Sequence, residues 1–364
     1  MVRNTLHTKL CDMLEIEFPI VAFTHCRDVA VAVVNSGAFA VYGGTKRSPD
    51  DLATDIKWIR DRVAGRPFGI DLLLPASAPP SSTVEELKAQ IPEAHRRFVE
   101  GIKQRHNIPA PRTPPEFYNI GFITQERARR QVDVVLGERV PVLAFGLGSP
   151  AFIVEAAHAR GVQVWGLVGK PRQARREIEA GVDVIIAQGT DAGGHTGPIG
   201  TFSLVAEVVA VAGGRPVLAA GGVTTGRHLA AALCLGAVGV WTGTVWLACR
   251  ESDEAMMAKE KLMAATAEDT VHSRCISGFT MRTLKTQWHV EWEALEAPKP
   301  LAAPFQLLLS AEVLQAARDH ELESFLYQPA GQGVGFVTAI KPARQVVLNL
   351  MDEARTVLED LTHG

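Results

Sequence analysis

VQVWGLVGKPRQARREIEAGVDVIIAQ, residues 162–188, is the stretch that decides the fold. It opens on an apolar run at 162–168 and closes on another at 182–188. Neither run alternates apolar with polar residues, as expected of parallel strands buried on both faces. Between them Lys170-Pro171 opens a charged helical segment, and Gly181 stops it. Strand, helix, glycine, strand is a right-handed βαβ unit. The device repeats just upstream. There Ser149 reads as an N-cap, Pro150 as the first helical residue of 149–160, and Gly161 as the stop. Working outward, further apolar runs lie at 19–23, 38–42, 68–74, 140–147, 216–221 and 238–243, which makes eight. Eight such units predict a closed (β/α)8 TIM barrel, although the periodicity alone also fits an open doubly wound sheet.

The bulk numbers agree with a large α/β domain and a smaller appendage. The chain has 364 residues, of which 47% are hydrophobic and 21% charged. With 37 basic and 40 acidic residues the net charge is -3, so no electrostatic footprint for nucleic acid or an anionic membrane is present. The first residues hold no apolar run of signal-peptide length, and export is not expected. Residues 229–249 carry no formal charge, but Gly236, Gly239 and Gly243 break them into a buried helix and a buried strand rather than a membrane span. The five cysteines form no C-x-x-C pair. Free thiols in a reducing cytoplasm are the expected setting.

Residues 75–119 interrupt the rhythm. They are rich in proline, with Pro75, Pro79, Pro80, Pro109, Pro111, Pro114 and Pro115 around a charged helical stretch at about 82–105. A long insertion after a barrel strand is where an active-site cover belongs. The alternative is a decorative loop. Beyond the barrel, helices are expected at 252–266, 305–327 and 342–360, with a Trp- and His-rich segment at 275–300 between them. The expected division is a barrel over 1–250 and a small, mainly helical second domain over 251–364.

The chemistry-bearing stretch is AQGTDAGGHTGPIG, residues 187–200, directly after the sixth strand. Gly193 and Gly194 let backbone approach a ligand closely. They present His195, the side chain that titrates nearest neutrality and the default general base, on a flexible rim. A second signal is the pair AAGGV (219–223) and WTGTVW (241–246), at the ends of strands seven and eight. Barrels often bind phosphate there. Gly221, Gly222, Gly243 and Thr244 are the candidate cradle. No G-x-x-x-x-G-K-[ST] loop is present.

Together these residues resemble the nitronate monooxygenase family, over roughly residues 14–250, with DAGGHTG as the most specific element. AGQGVGF (330–336) is similar to a C-terminal glutamine-glycine segment of the same family. The resemblance implies a non-covalent FMN. Its phosphate would lie over Gly221, Gly222 and the Trp241-Thr242-Gly243-Thr244 loop. Gln188 would reach the flavin, Gly193 and Gly194 would pass close to it, and His195 would act as base. Ala22, Phe23 and Thr24 stand where the family carries an Ala-Pro-Met-like segment under the flavin. This chain instead reads AFTHCRD over 22–28, and it has Asp71 where the family commonly has Asn.

The implied activity is oxidation of alkyl nitronates by O₂ to a carbonyl compound and nitrite. The expected partners are a small-molecule substrate and O₂, with self-association left open. An NAD(P)H-dependent reductase of enoyl thioesters and a non-catalytic flavin-binding module are the alternatives. Arg27 is a candidate anion holder against an ordinary salt bridge. His25, Cys26 and Asp28 make a poor tetrahedral metal set. Trp288, His289 and Trp292 read as packing of the second domain.

Overall fold

The computed structural model describes residues 6–74, 83–115, 125–148 and 153–363. Eight parallel strands close into a barrel. The first six are β1 (Ile20–Thr24), β2 (Phe39–Gly43), β3 (Gly69–Leu73), β4 (Val142–Gly146), β5 (Gln163–Val168) and β6 (Val184–Gln188). A two-residue strand outside the barrel, β7 (Gly194–His195), precedes the last two, β8 (Val217–Ala220) and β9 (Gly239–Thr242). Closure comes from β1 pairing with β9, Ile20 opposite Val240. Each strand falls inside or within a residue of one of the apolar runs. Both faces are buried, as continuous hydrophobicity demands. One set of alternate residues, including Val21, Phe39, Val142, Trp165, Ile186 and Trp241, fills the barrel interior. The other set packs under the helices.

Helix α1 (Lys9–Leu14) plugs the lower end, where Leu10, Cys11 and Leu14 join the interior cluster. The outer ring contains α2 (Arg27–Val34) and α3 (Pro49–Arg60). The insertion then contributes α4 (Val84–Ala89) and α5 (Glu93–Arg105), a helical stretch broken at Pro92. The ring resumes with α6 (Gln125–Gly137), α7 (Val154–His158), α8 (Pro171–Glu179), α9 (Thr201–Val211) and α10 (Gly226–Cys234). Ser149 and Pro150 lie outside the described residues, as do Pro75, Pro79 and Pro80. Residues 229–249 are α10, β9 and the short α11 (Thr244–Leu247). No helix among the described residues is long and apolar enough to cross a membrane.

The remainder holds α12 (Met256–Ala264), strands β10 (Thr270–Ser273) and β11 (Met281–Leu284), then α13 (Gln287–Glu293), α14 (Phe305–Asp319) and α15 (Ala343–His363). It packs in two directions. Leu87, Val99 and Ile102 from the insertion share one buried cluster with Ile276, Trp288 and Val313. Lys103 meets Glu312 at 2.8 Å, and Asp319 accepts from the Arg112 and Thr113 amides at 2.7 and 2.9 Å. The insertion is therefore one half of a second packed unit with residues 275–325. Helix α15 turns back instead onto α10 and α2. Val347, Leu350 and Ala354 join the barrel's outer cluster, and a Cβ on Gly226 would sit 2.3 Å from the Ala354 nitrogen. The second unit also contains strand structure, because β10, β11 and β7 form a three-stranded sheet.

Candidate active site

The C-terminal ends of the strands form the mouth. Phe23, Asp71, Gln188 and Trp241 point inward there, each in phase with the interior set. Phe23 stacks on Trp241 with ring centroids 5.5 Å apart and planes at 20°. Two neighbours named from sequence do not present side chains to the mouth. Ala22 lies in the layer under the helices. The Thr242 hydroxyl is buried, donating to the Val21 carbonyl at 3.1 Å and accepting from Trp246 Nε1 at 3.0 Å. Thr24 Oγ1 accepts from the Cys26 amide at 3.1 Å and so starts α2.

The glycine loops follow β8 and β9. Gly221 and Gly222 have φ of 108° and 71°, a left-handed conformation that side chains strain to adopt. Space above Gly243 is open: a Cβ there would meet nothing within 4 Å. The Gln-Gly segment closes on these loops from the far end of the chain. Gly331 N donates to Thr244 Oγ1 at 3.0 Å, and Gln332 N donates to the Asp191 carbonyl at 2.8 Å. Gly193 is needed for that contact, since its Cβ would lie 2.6 Å from the Pro329 carbonyl oxygen. Asp191 is not a partner of His195. Its carboxylate accepts from the Thr201 amide at 2.9 Å, in the first turn of α9.

His195 is not on a loose rim, as the glycine pair suggested. It lies in β7, paired antiparallel with Met281 of β11. Its Nε2 is 2.8 Å from Ser277 Oγ, and Phe279 meets its ring edge-on with centroids 5.7 Å apart. Gln188 Nε2 donates to the His195 carbonyl at 3.1 Å. The second imidazole nitrogen, Nδ1, has no hydrogen-bond partner among the described residues. The residue is half-buried by surface, yet enough protein surrounds the ring that desolvation pushes its pKa down to about 4. The imidazole is therefore neutral at physiological pH. Arg282 steadies the loop that leads to it, donating from Nε to the Thr190 carbonyl at 2.8 Å. His272 Nε2 lies 2.7 Å from Thr196 Oγ1 on the other side.

Ser277, Phe279 and Arg282 were not singled out from sequence. The run that pairs with His195, MRTL at 281–284, is apolar only at its ends and too short to read as a strand. Arg27 takes the ordinary role. It pairs with Asp55 at 3.0 Å and covers the Trp58 ring, while Arg47 and Tyr42 hold the other Asp55 oxygen. His25 Nδ1 sits 3.1 Å from the Gly43 carbonyl, and Cys26 precedes α2 without a side-chain cap, its Sγ donating instead to the Glu251 carbonyl at 3.3 Å. No group of three potential metal ligands occurs among the described residues. Trp288 and Trp292 pack the second cluster, and His289 is buried beside them.

An eight-stranded barrel with glycine loops on its last two strands and a histidine over its mouth is the frame of a barrel enzyme, a frame that hosts many chemistries. Comparison with known proteins gives the family. The nitronate monooxygenase model matches residues 7–353, and the chain belongs to that family. A Mycobacterium tuberculosis protein named as a monooxygenase is 40% identical, with 96% of each chain covered. Nitroalkane oxidase from Streptomyces ansochromogenes superposes with a TM-score of 0.79 at 26% identity, covering 97% of this chain and 99% of that one. FabK from Thermotoga maritima superposes at 0.74 with 29% identity, covering 98% of each. The protein is thus an enzyme, a flavin-dependent oxidoreductase.

Proposed function

We propose that the protein binds FMN and oxidises alkyl nitronates with O₂, giving a carbonyl compound and nitrite. The carrying observation is His195: a neutral imidazole at the barrel mouth, anchored through one nitrogen and uncommitted at the other. The mouth fits the cofactor. Gly221 and Gly222 turn in the left-handed region and the space above Gly243 is open, which suits a backbone cradle for a phosphate that includes Thr244 at the start of α11. Phe23 and Trp241 supply a flat apolar wall beside it. No dinucleotide fingerprint accompanies the cradle, which favours FMN over FAD.

In the proposed reaction a neutral nitroalkane loses its α-proton to His195. The Cα–H bond breaks, the proton moves to Nδ1, and the bonding pair stays on the substrate as nitronate. Ser277 sets the tautomer by accepting from Nε2–H while its hydroxyl donates a hydrogen bond to the Phe279 carbonyl, 3.3 Å away. Burial disfavours the imidazolium that results, and the adjacent nitronate charge is what offsets that cost. A preformed nitronate needs no such step. When bound, the flavin supplies the electron transfer and the reaction with O₂.

Anaerobic mixing of the flavoprotein with propionate 3-nitronate, and separately with NADPH, tests this directly. Rapid flavin reduction by the nitronate alone is expected. Reduction by NADPH alone would move the assignment to the enoyl-thioester reductase that the likeness to FabK keeps in view. Reduction by neither would leave a binding module. Denaturation should release FMN, and release of FAD would overturn the cofactor choice. Gly222→Asp should abolish flavin binding, because a carboxylate at a left-handed position would crowd and repel the phosphate. Normal flavin content in a folded variant would show that the phosphate sits elsewhere.

A further inference from the structure

Asp71 is the one carboxyl on the inner wall of the described barrel. It is 6% exposed, and no described residue donates a hydrogen bond to it. Its backbone is fixed in β3, between Gly43 of β2 and Ala144 of β4, and its carbonyl accepts from the Gly44 amide at 2.9 Å. The in-out alternation of β3 directs the side chain into the mouth, since Ile70 and Leu72 on either side belong to the layer under the helices. A buried carboxyl that faces the barrel mouth with no donor or cation among the described residues is placed to meet a group that binds there.

The surroundings decide its protonation state. On the β2 wall the titratable group is His25, whose ring lies over Gly43. The loop after β2 carries Lys46 and Arg47, and Arg47 is committed to Asp55 outside the barrel. The β4 wall offers only Ala144 and Gly146. Phe23, Gln188 and Trp241 across the mouth are uncharged, and His195 beyond them is neutral. With no compensating charge beside it among the described residues, burial alone pushes the Asp71 carboxyl up to about 7.

We propose that Asp71 stays protonated in the mouth and donates its carboxyl hydrogen to the bound flavin ring, so that flavin binding is linked to a proton. The inference rests on the flavin reading of the site. An amide at this position would donate without titrating. A carboxyl donates only while protonated, and its ionisation leaves a buried anion facing ring acceptors. Flavin affinity should therefore fall as pH rises through about 7, approaching tenfold per pH unit.

The test uses riboflavin, which lacks the phosphate and its own titration near neutrality, with the apoprotein between pH 6 and 9. Wild type should lose affinity above pH 7, while Asp71→Asn should bind with a flat profile. A flat wild-type profile, or the same slope in Asp71→Asn, would overturn the proposal and leave the cofactor reading intact. Failure of riboflavin and FMN to bind at any pH would remove both. A measurement on wild type alone guards against a variant that does not fold. At pH 8, the dependence of binding enthalpy on buffer ionisation heat should report uptake of about one proton. No uptake would refute the linkage.

Discussion

Burial lowers the pKa of four described histidines, and at two of them, His195 and His289, it pushes the value down to about 4. Their hydrogen bonds differ. His289 lies in the core of the second unit with both nitrogens engaged. Its Nδ1 accepts from the Thr286 amide at 3.1 Å, and its Nε2 is 3.0 Å from Thr283 Oγ1. His195 commits only Nε2, to Ser277, and keeps Nδ1 for whatever enters the mouth. A depressed pKa alone therefore does not mark a base. The distinguishing feature is an uncommitted nitrogen beside the cofactor loops.

The largest effect expected from this contrast is at His195. His195→Asn should cost about 10²–10⁴ in kcat/KM on neutral nitroalkanes, the range of a positioned base, and far less on nitronates. Flavin occupancy should be unchanged. Equal losses on both substrate forms would mean that the imidazole anchors substrate, and the base assignment would be withdrawn. The pH profile sharpens the point. His195 must be neutral to accept a proton, so nitroalkane turnover by the free enzyme should lose its acid limb near pH 4 rather than near the unperturbed 6.5.

The next effect falls on stability rather than turnover. His289→Leu keeps apolar bulk but leaves the Thr286 amide unsatisfied in the core, which costs about 1–3 kcal/mol. Nitronate turnover should not change. The sign of the pH dependence follows from the direction of the shift. The unfolded histidine takes a proton below about 6.5 and the folded one only near 4, so the unfolded state gains protons between those values. Stability from this residue is thus complete above pH 6.5 and lost as pH falls toward 4. Denaturant titrations at pH 7 and pH 5 should show a drop in wild type that is smaller in His289→Leu. An equal drop in both would assign the acid sensitivity to other groups.

The barrel was readable because its strands are buried on both faces, which leaves uninterrupted apolar runs such as 182–188. The glycine loops were readable because left-handed turns and close backbone approach select glycine at Gly221 and Gly193. What the sequence hid is tertiary. Ser277 reaches His195 across 82 positions through a two-residue strand pairing with β11, and nothing local marks Ser277. The insertion reads as a cover for the mouth, and what the sequence did not reveal is that the apolar face of α5 packs on α14, about two hundred residues later. Pro92 splits its helical stretch, since proline ends the first helix and opens the second. Asp191 sits four residues before His195, yet the Thr201 amide at the start of α9 claims its carboxylate.

The smallest effect expected is at Ser277, and it tests whether the anchored nitrogen matters. Ser277→Ala removes one hydrogen bond to a ring that Phe279 still confines. A single such bond contributes about 0.5–1.5 kcal/mol, so kcat on nitroalkanes should fall by about two- to tenfold. KM should hold, because Ser277 orients the base in this scheme and does not touch substrate. Ser277→Thr retains the hydroxyl and should restore most of the loss. The acid limb of the profile should move little, since desolvation sets that pKa and not the serine. If Ser277→Ala raised KM and left kcat alone, the hydroxyl would be a substrate contact. His195 would then be held by β7 and Phe279, and the difference between the two histidines would reduce to their position in the fold.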